Sequence, residues 1–172
     1  MITKEEYSVE FKSMFREYDI RGRVSENELC PENVYKIVKA YCKYLKRRNI
    51  TRAVCGYDNR ACSPAFAEAA VKALRECGID VFFTGLSLSP LVYFAQYYLK
   101  CEGAVMITAS HNPDGWSGFK LAKGYSKTLE PDDIKEVYSL LDIPDEPCAM
   151  GSYEEVDVRD AYIDDIVSRI HM

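Results

Sequence analysis

Residues 103–113 read Gly-Ala-Val-Met-Ile-Thr-Ala-Ser-His-Asn-Pro, an apolar run that leads directly into a polar turn. The run predicts a buried strand over residues 104–108, and asparagine and proline favour a turn directly after it. In open sheets built from strands and helices, ligands bind beyond the carboxyl ends of the strands. We therefore expect an α/β fold that presents Ser110 at its ligand-binding edge.

Strand and helix patterns alternate along the rest of the chain. Helices are predicted over residues 31–48, 63–78, 89–99 and 131–141, and strands over 53–57, 81–84, 104–108 and 119–122. In the pairs Ser63-Pro64 and Ser89-Pro90, we expect each serine to be the N-cap and each proline to occupy the first helical turn. Strands separated by helices of this length predict a three-layer α/β/α sandwich around a mixed, mainly parallel sheet.

The length of 172 residues is enough for one domain with a short extension. Residues 1–143 are predicted to form this domain. The stretch 144–152 contains two prolines and a glycine, which is typical of a linker, and apolar residues at helical spacing follow over 156–170. We therefore interpret residues 144–172 as a linker and a helix that lead toward a second domain.

The composition excludes several classes of partner. Charged residues make up 28% of the chain, the formal charge is −5, and the basic residues are scattered, which argues against nucleic acid and anionic membranes. No segment approaches the roughly 20 apolar residues that span a bilayer, and no signal sequence is recognisable. The seven cysteines form no Cys-x-x-Cys pair, so we expect reduced thiols that act mostly as small core residues. These features predict a cytoplasmic protein.

Three reactive groups occur within a dozen residues at the predicted turn. A serine hydroxyl is a poor nucleophile unless a base or a cation lies nearby, and His111 and Lys120 could supply these beside Ser110. The alternative is an ordinary turn, because serine, asparagine and proline all favour turns on backbone grounds. A nucleophilic or phosphorylated Ser110 is the functional hypothesis.

Three segments together resemble one enzyme family. Thr108-Ala-Ser-His-Asn-Pro113 with Gly118-Phe-Lys120 is similar to the phosphoserine loop of the α-D-phosphohexomutases, which include phosphoglucomutases, phosphomannomutases and phosphoglucosamine mutases. Phe15-Arg-Glu-Tyr-Asp-Ile-Arg-Gly22 and Gly56-Tyr-Asp-Asn-Arg60 resemble two further elements of this family, in the family's order. The resemblance covers nearly the whole chain.

The resemblance implies a phosphoryl exchange in which a phosphoserine donates its phosphate to a hexose monophosphate, forms a bisphosphate, and takes the other phosphate back. Ser110 corresponds to the phosphoserine, whose phosphate adds about −1.5 to −2 charges and can ligate Mg²⁺. Lys120 and Arg21 correspond to basic residues that hold the phosphoryl group. His111 corresponds to a residue that assists proton transfer or positioning. The implied cofactors are Mg²⁺ and a hexose 1,6-bisphosphate activator.

Other residues of these motifs have smaller expected roles. Tyr18 and Asn112 are candidates for shaping the substrate site. Asp58 and Arg60 are interpreted as structural, because a carboxylate and a guanidinium that bracket a turn usually fix that turn. The family commonly has Tyr-Asn where this chain has Trp116-Ser117, a change that bears on substrate preference more than on the type of reaction.

The family has four domains, and the motifs of this chain correspond only to domain 1. We therefore expect the chain by itself to be inactive as a mutase and to self-associate through the surface that domain 2 would cover. One alternative is a stand-alone domain that binds sugar phosphates or a protein without turnover. Another is a hydrolase that uses Ser110 and His111, ranked last because adjacent residues on one turn rarely point at each other. The sequence does not distinguish glucose, mannose and glucosamine phosphates.

Overall fold

The computed structural model describes residues 7–170, which form six helices and six strands. In chain order these are α1 Val9–Ser13, β1 Ile20–Arg23, α2 Pro31–Lys46, β2 Arg52–Tyr57, α3 Ser63–Glu76, β3 Asp80–Leu86, α4 Ser89–Tyr98, β4 Gly103–Ile107, β5 Trp116–Lys123, α5 Pro131–Ser139, β6 Tyr153–Glu155 and α6 Arg159–Arg169. All of the predicted helices and strands are present.

The six strands form one mixed sheet in the order β1-β5-β4-β2-β3-β6. β2 pairs in parallel with β3 and β4, and β3 pairs in parallel with β6. β5 is antiparallel to both of its neighbours, β4 and β1. The predicted mainly parallel sheet is confirmed. β5 begins three residues earlier than predicted, because its first residues pair with β1.

Helices cover both faces of the sheet and bury two apolar clusters. Residues of α2, α3 and α5 pack on one face with Cys55, Val105 and Phe119 of the strands. On the opposite face, residues of α4 pack with Met106 and Ala122, and Tyr162 of α6 packs against the same cluster. The predicted three-layer α/β/α sandwich is therefore confirmed.

The predicted N-caps at the two Ser-Pro pairs are wrong by one residue. Cys62 and Leu88 are the N-cap residues, and each serine is the first residue of its helix. The Ser63 hydroxyl does not cap α3 because it donates a hydrogen bond of 2.6 Å to Asp58. The prolines lie in the first helical turn as expected.

The segment after residue 143 packs on the domain. Asp145 forms ion pairs with Lys39 and Lys43 of α2, and β6 then adds to the sheet beside β3. Helix α6 follows, and it exposes Ile163 and Val167. The domain boundary at residue 143 stays a prediction. No helix within residues 7–170 combines the length and apolar character that a bilayer span requires.

Candidate active site

Ser110 lies just beyond the carboxyl end of β4, in a turn that its neighbours hold in place. The Thr108 amide donates to the carbonyl of Gly118, and the Thr108 hydroxyl accepts a hydrogen bond of 3.0 Å from the Ser110 amide. The φ angle of Ser110 is 57°, in the left-handed region. This conformation costs a residue with a side chain roughly 1–2 kcal/mol. Such strain persists only where the surroundings enforce it, and it is often found at functional sites.

The Ser110 and His111 side chains are both exposed and contact each other. The Ser110 hydroxyl oxygen and His111 Nδ1 are 3.3 Å apart. The expectation that these adjacent side chains point apart is therefore wrong, because the left-handed backbone at Ser110 turns the two groups toward each other. A hydrolase triad also needs a carboxylate that orients the histidine. Within residues 7–170, no carboxylate forms a hydrogen bond or ion pair with His111.

Arg60 binds the backbone of the serine turn from a separate loop, the one that follows β2. Its guanidinium donates to the carbonyl oxygens of Asn112 at 2.7 Å, Pro113 at 2.9 Å, Trp116 at 3.2 Å and Ser110 at 3.3 Å. We call the backbone of residues 110–116 with this guanidinium the serine-loop clamp. One half-buried cation thus satisfies four carbonyl groups of the serine loop and the start of β5.

Asp58 fixes the orientation of the clamp. Its carboxylate accepts hydrogen bonds from the Arg60 amide and Nε and from the Ser63 hydroxyl. Its own amide donates to the carbonyl oxygen of Ile107, the last residue of β4. Asp58 and Arg60 therefore fix their own turn, as interpreted from the sequence. In addition, Arg60 connects this turn to the serine loop by hydrogen bonds. The local motif did not indicate this connection.

Arg21 reaches the serine loop from the opposite side, on β1. Its Nη1 donates a hydrogen bond of 3.1 Å to the side-chain oxygen of Asn112, and its Nε lies 2.6 Å from the Asp19 carboxylate. The Arg21 and Asp19 side chains are each only 15% exposed, so the guanidinium is held in one orientation. The structure thus brings two of the predicted site residues, Arg21 and Asn112, into contact.

Lys120 lies on β5 and shares one face of the sheet with Arg21. Arg21 is paired with Gly118 across the β1–β5 ladder, and Lys120 is two residues further along β5 on the same face. Diagonal neighbours of this kind are about 7–8 Å apart. Lys120 is half-buried, and no hydrogen bond or ion pair joins it to any residue from 7 to 170. Its ammonium group is therefore available to an anionic ligand.

Close packing accounts for the glycine in the Gly-Phe-Lys motif. A Cβ atom on Gly118 would lie 2.3 Å from the carbonyl oxygen of Ile20 in β1. No side chain fits at this distance without moving the backbone of β1. Because β1 carries Arg21, the absent side chain of Gly118 allows the strand that holds Arg21 to approach the strand that holds Lys120.

Tyr18 precedes β1, and Trp116 is the first residue of β5. Tyr18 is 59% exposed and forms no hydrogen bond with residues 7–170. Two cations contact the Trp116 ring, with the guanidinium carbons of Arg23 and Arg16 5.2 and 5.7 Å from its centroid. Such cation–π contacts stabilise by about 0.5–1 kcal/mol each at exposed sites. Trp116 thus gathers positive charge beside the serine loop, a feature that the sequence did not predict.

The described residues supply few ligands for a metal ion. No group of three or more His, Cys, Asp or Glu side chains within residues 7–170 is arranged to hold one. Asp19 and Asp58, the carboxylates that contact the arginines of the site, are each paired with one of them. A phosphate on Ser110 would provide an oxygen ligand of the kind that Mg²⁺ prefers. At a Mg²⁺ site here, the described residues would supply the phosphate oxygen, and the other ligands would come from outside them.

Comparison with known proteins identifies the family. Residues 12–146 match the model of the phosphoglucomutase/phosphomannomutase α/β/α domain I. The chain belongs to the phosphoglucomutase/phosphomannomutase family. Its fold and the order of its motifs agree with this assignment, so the family membership expected from the sequence is confirmed.

Individual relatives show how much of the family the chain represents. A phosphomannomutase from Salmonella montevideo is 38% identical over 161 residues, which are 91% of this chain and 34% of that protein. A phosphomannomutase from Klebsiella pneumoniae is 34% identical over 87% of this chain and 96% of its own length. A crystal structure of a family protein from Burkholderia thailandensis superposes with a TM-score of 0.84 at 28% identity, over 94% of this chain and 36% of that one. The chain thus spans about a third of the length of the first relative and of the crystal structure.

Proposed function

We propose that the chain carries the phosphoserine of a phosphohexomutase, with Ser110 as the phosphorylated residue. The main support is the position of Ser110, which is exposed at the end of β4 in a turn that Arg60 fixes at four carbonyl groups. Arg21 and Lys120 lie on one sheet face beside this turn; Arg21 is paired with Asp19, and Lys120 brings a positive charge without a described counter-ion. The arrangement suits a doubly charged phosphate on a rigid support.

The reaction would be two phosphoryl transfers in sequence. In the first, the bond between phosphorus and the Ser110 oxygen breaks, a hydroxyl of a hexose monophosphate forms a new bond to the phosphorus, and the proton of that hydroxyl passes to the Ser110 oxygen. The resulting bisphosphate reorients, and its other phosphoryl group moves to the Ser110 oxygen, which releases the isomeric monophosphate. Such transfers depend on positioning and charge stabilisation more than on a strong base.

Each residue near Ser110 has a distinct proposed role. Lys120, which has no described counter-ion, holds the equatorial oxygens of the transferring group, and Arg21 supports them while it orients Asn112. His111, at 3.3 Å from the Ser110 oxygen, moves the hydroxyl proton. Tyr18 and Asn112 shape the substrate side. Bound Mg²⁺ would neutralise charge on the phosphoryl oxygens, and the phosphate of Ser110 would ligate it.

Phosphorylation of the purified chain by a hexose bisphosphate tests the assignment directly. We expect incubation with radiolabelled glucose or mannose 1,6-bisphosphate to add one phosphoryl group to Ser110, located by peptide mapping. Ser126→Ala is the matched control, because Ser126 is also an exposed serine with a left-handed φ of 55°. Label that persists in Ser110→Ala, or that disappears in Ser126→Ala, contradicts the assignment. Binding of the bisphosphate without any transfer to Ser110 favours the alternative of a sugar-phosphate-binding domain.

The basic residues are tested in a complete mutase. Domain I of the Salmonella montevideo relative is replaced by this chain, and Lys120→Ala and Arg21→Ala are introduced. We expect kcat to fall by two or more orders of magnitude, because each variant removes charge stabilisation from the transition state. Circular dichroism checks that the chimera and its variants fold. A kcat near that of the unmodified chimera in both variants would refute the roles of Arg21 and Lys120.

The chain by itself is expected not to interconvert hexose phosphates. Orientation of a bound substrate contributes roughly 7–11 kcal/mol in favourable systems, and within this family other domains supply part of it. A coupled assay with Mg²⁺ and a bisphosphate activator on the purified 172 residues tests this expectation. The cytoplasmic location and self-association stay predictions.

A further inference from the structure

Asp114 is followed by Gly115 in the exposed part of the serine loop, and no other aspartate or asparagine of the chain precedes a glycine. In such a pair, the backbone nitrogen after the aspartate can attack the carbon of the side-chain carboxyl group and close a five-membered imide ring. A side chain on the second residue hinders this attack, and glycine has none. The sequence therefore favours this reaction at Asp114 over every other position.

The fold leaves both reacting groups of this pair without a partner. The Gly115 amide donates to no acceptor within residues 7–170, and the Asp114 side chain forms neither a hydrogen bond nor an ion pair there. Both residues are exposed. The Asp58 carboxylate, in contrast, accepts three hydrogen bonds in its own turn. No described hydrogen bond of the two reacting groups has to break before the nitrogen meets the carboxyl carbon.

The space around Gly115 is also open. Its φ angle is +79°, and a Cβ atom at this position would meet no other atom within 4 Å. At Gly118, three residues further along the chain, a Cβ atom would lie 2.3 Å from the carbonyl oxygen of Ile20. The backbone at Gly115 therefore has room to rotate toward the Asp114 side chain, whereas the backbone at Gly118 is enclosed.

Specific hydrogen bonds hold the main chain on either side of Asp114. Arg60 donates to the carbonyl oxygens of Pro113 and Trp116, and the Gly115 carbonyl oxygen accepts a 2.8 Å hydrogen bond from the Val24 amide. These three carbonyl groups are fixed within a stretch of four residues. Additional main-chain length at Asp114 would shift the first carbonyl group relative to the other two.

We propose that Asp114 isomerises to isoaspartate through an imide with Gly115, and that the longer main chain of the product displaces the serine loop from its hydrogen-bond partners. In the first step the Gly115 nitrogen bonds to the carboxyl carbon of Asp114. A carbon–oxygen bond of the carboxylic acid breaks, and its hydroxyl leaves as water with the amide proton.

In the second step water adds to one of the two carbonyl carbons of the ring. Addition at the main-chain carbonyl breaks its bond to nitrogen, so the chain now runs through the side chain of Asp114 and gains one methylene carbon. Addition at the other carbonyl restores aspartate. The two steps together neither add nor remove an atom, and they need no reagent except water.

Methylation of the incubated protein tests the modification site. The purified chain is kept at physiological temperature and neutral pH, and isoaspartate is labelled with protein isoaspartyl methyltransferase and radioactive S-adenosylmethionine. We expect labelling of tryptic peptide 101–120 to rise with incubation time. Asp114 is the only aspartate of this peptide, and its asparagine, Asn112, precedes a proline that has no amide hydrogen.

Two variants separate Asp114 from other exposed aspartates. Asp114→Glu should abolish the labelling of peptide 101–120, because the longer side chain would have to close a less favourable six-membered ring. Asp132→Glu is the matched control, because Asp132 is exposed but precedes an aspartate in α5. It should be labelled like the unmodified chain. Labelling confined to peptides other than 101–120 would overturn the proposal.

The synthetic peptide 101–120 measures how far the fold protects this pair. Because neither reacting group gives up a described partner, we expect the folded chain to form isoaspartate no more than about tenfold more slowly than the peptide. A slower reaction than this in the folded chain would also overturn the proposal, since the loop would then hold the two groups apart.

Hydrogen exchange at the Val24 amide tests the effect on the serine loop. We expect this amide to exchange faster in incubated chain, in proportion to the isoaspartate content, and at its original rate in incubated Asp114→Glu. An unchanged rate in protein rich in isoaspartate would show that the loop absorbs the added carbon, and it would overturn the proposed displacement. None of these measurements uses phosphoryl transfer, so their outcome is independent of the role proposed for Ser110.

Discussion

Arg60 and Asn112 are 52 positions apart in the chain, yet Arg60 Nη2 donates a 2.7 Å hydrogen bond to the Asn112 carbonyl oxygen. This bond joins the loop after β2 to the loop after β4, two strands that are adjacent and parallel in the sheet. Asn112 in turn accepts a hydrogen bond from Arg21 through its side chain. The serine loop is thus held from both sides by arginines.

Replacement of Arg60 by alanine should loosen the serine loop and destabilise the protein. Four carbonyl groups lose a charged donor, so we expect the free energy of unfolding to fall by about 2–3 kcal/mol, measured by urea denaturation. Arg159→Ala is a matched control, because Arg159 pairs with Asp157 at the same two-residue spacing but on the exposed surface. That control should change stability by no more than about 1 kcal/mol. Equal effects of the two variants would contradict the clamp.

Tyr41→Phe should destabilise the core. The fully buried Tyr41 hydroxyl donates to the carbonyl oxygen of Ala122 in β5 and accepts from the amide of Ala104 in β4 at 3.1 Å. Without it, two buried backbone groups lose a partner, which costs about 1–3 kcal/mol. Tyr98→Phe, at an exposed tyrosine of α4, is the control and should be nearly neutral. Thermal unfolding of both variants measures the difference.

Ser117→Ala should not lower the free energy of unfolding, in contrast to Tyr41→Phe. The Ser117 hydroxyl is completely buried and has no hydrogen-bond partner among the described residues. Removing an unsatisfied buried hydroxyl relieves its desolvation cost, so stability should stay equal or rise by about 1 kcal/mol. A loss of more than 1 kcal/mol in urea denaturation would show that this hydroxyl has a partner.

Asp133 should make stability depend on pH in the acid range. Burial raises the pKa of Asp133, but hydrogen bonds from Lys123, the Glu130 amide and the Tyr44 hydroxyl outweigh it and leave the pKa below its ordinary value. A lowered pKa means that the folded state favours the carboxylate. The stabilisation is therefore present above the unfolded pKa of about 3.9 and is lost as pH falls through the folded value.

Asp133→Asn should accordingly reduce stability at neutral pH, and the difference from the unmodified chain should shrink as pH falls below about 4. Urea denaturation at several pH values measures this trend. Asp132→Asn is the control, because the neighbouring Asp132 is exposed and pairs only with Lys135 on the surface. A difference that stays constant with pH would contradict the role of the Asp133 charge.

Phosphorylation of Ser110 should change the fluorescence of Trp116, the single tryptophan of the chain. A phosphate near the loop would attract the guanidinium groups of Arg16 and Arg23, which now flank the ring. We expect a shift in the emission maximum between the phosphorylated and unphosphorylated forms. Arg23→Ala should reduce the shift, and identical spectra of the two forms would show that the arginines do not respond to Ser110.

Local patterns predicted the elements with strong apolar periodicity. α2 and α3 bury stripes at helical spacing, and β4 is an apolar run between polar segments, so each was found within two residues at either end. β6 was missed because its Tyr-Glu-Glu sequence is short and polar, and only pairing with β3 makes it a strand. Tertiary pairing of this kind leaves no periodicity in the sequence.

In the candidate site, too, local motifs predicted some features, and tertiary contacts determine the others. Ser110, Arg21 and Lys120 were predicted from their motifs, and the fold places Arg21 and Lys120 on one sheet face. The reach of Arg60 to the serine loop was not predicted, because it depends on the parallel pairing of β2 with β4 rather than on nearby sequence. The contact between Ser110 and His111 depends on a left-handed φ that a serine rarely adopts.

Strand β6 forms one edge of the sheet, beside β3. It is only three residues long, and two of these are exposed glutamates, Glu154 and Glu155. An open strand edge recruits other chains, and short edge strands with charged side chains discourage this. A chain shortened to residue 143 would expose the backbone of β3 beside Phe82 and Phe83. We expect such a chain to form intermolecular β-structure and precipitate, because nothing would then terminate hydrogen bonding along that edge.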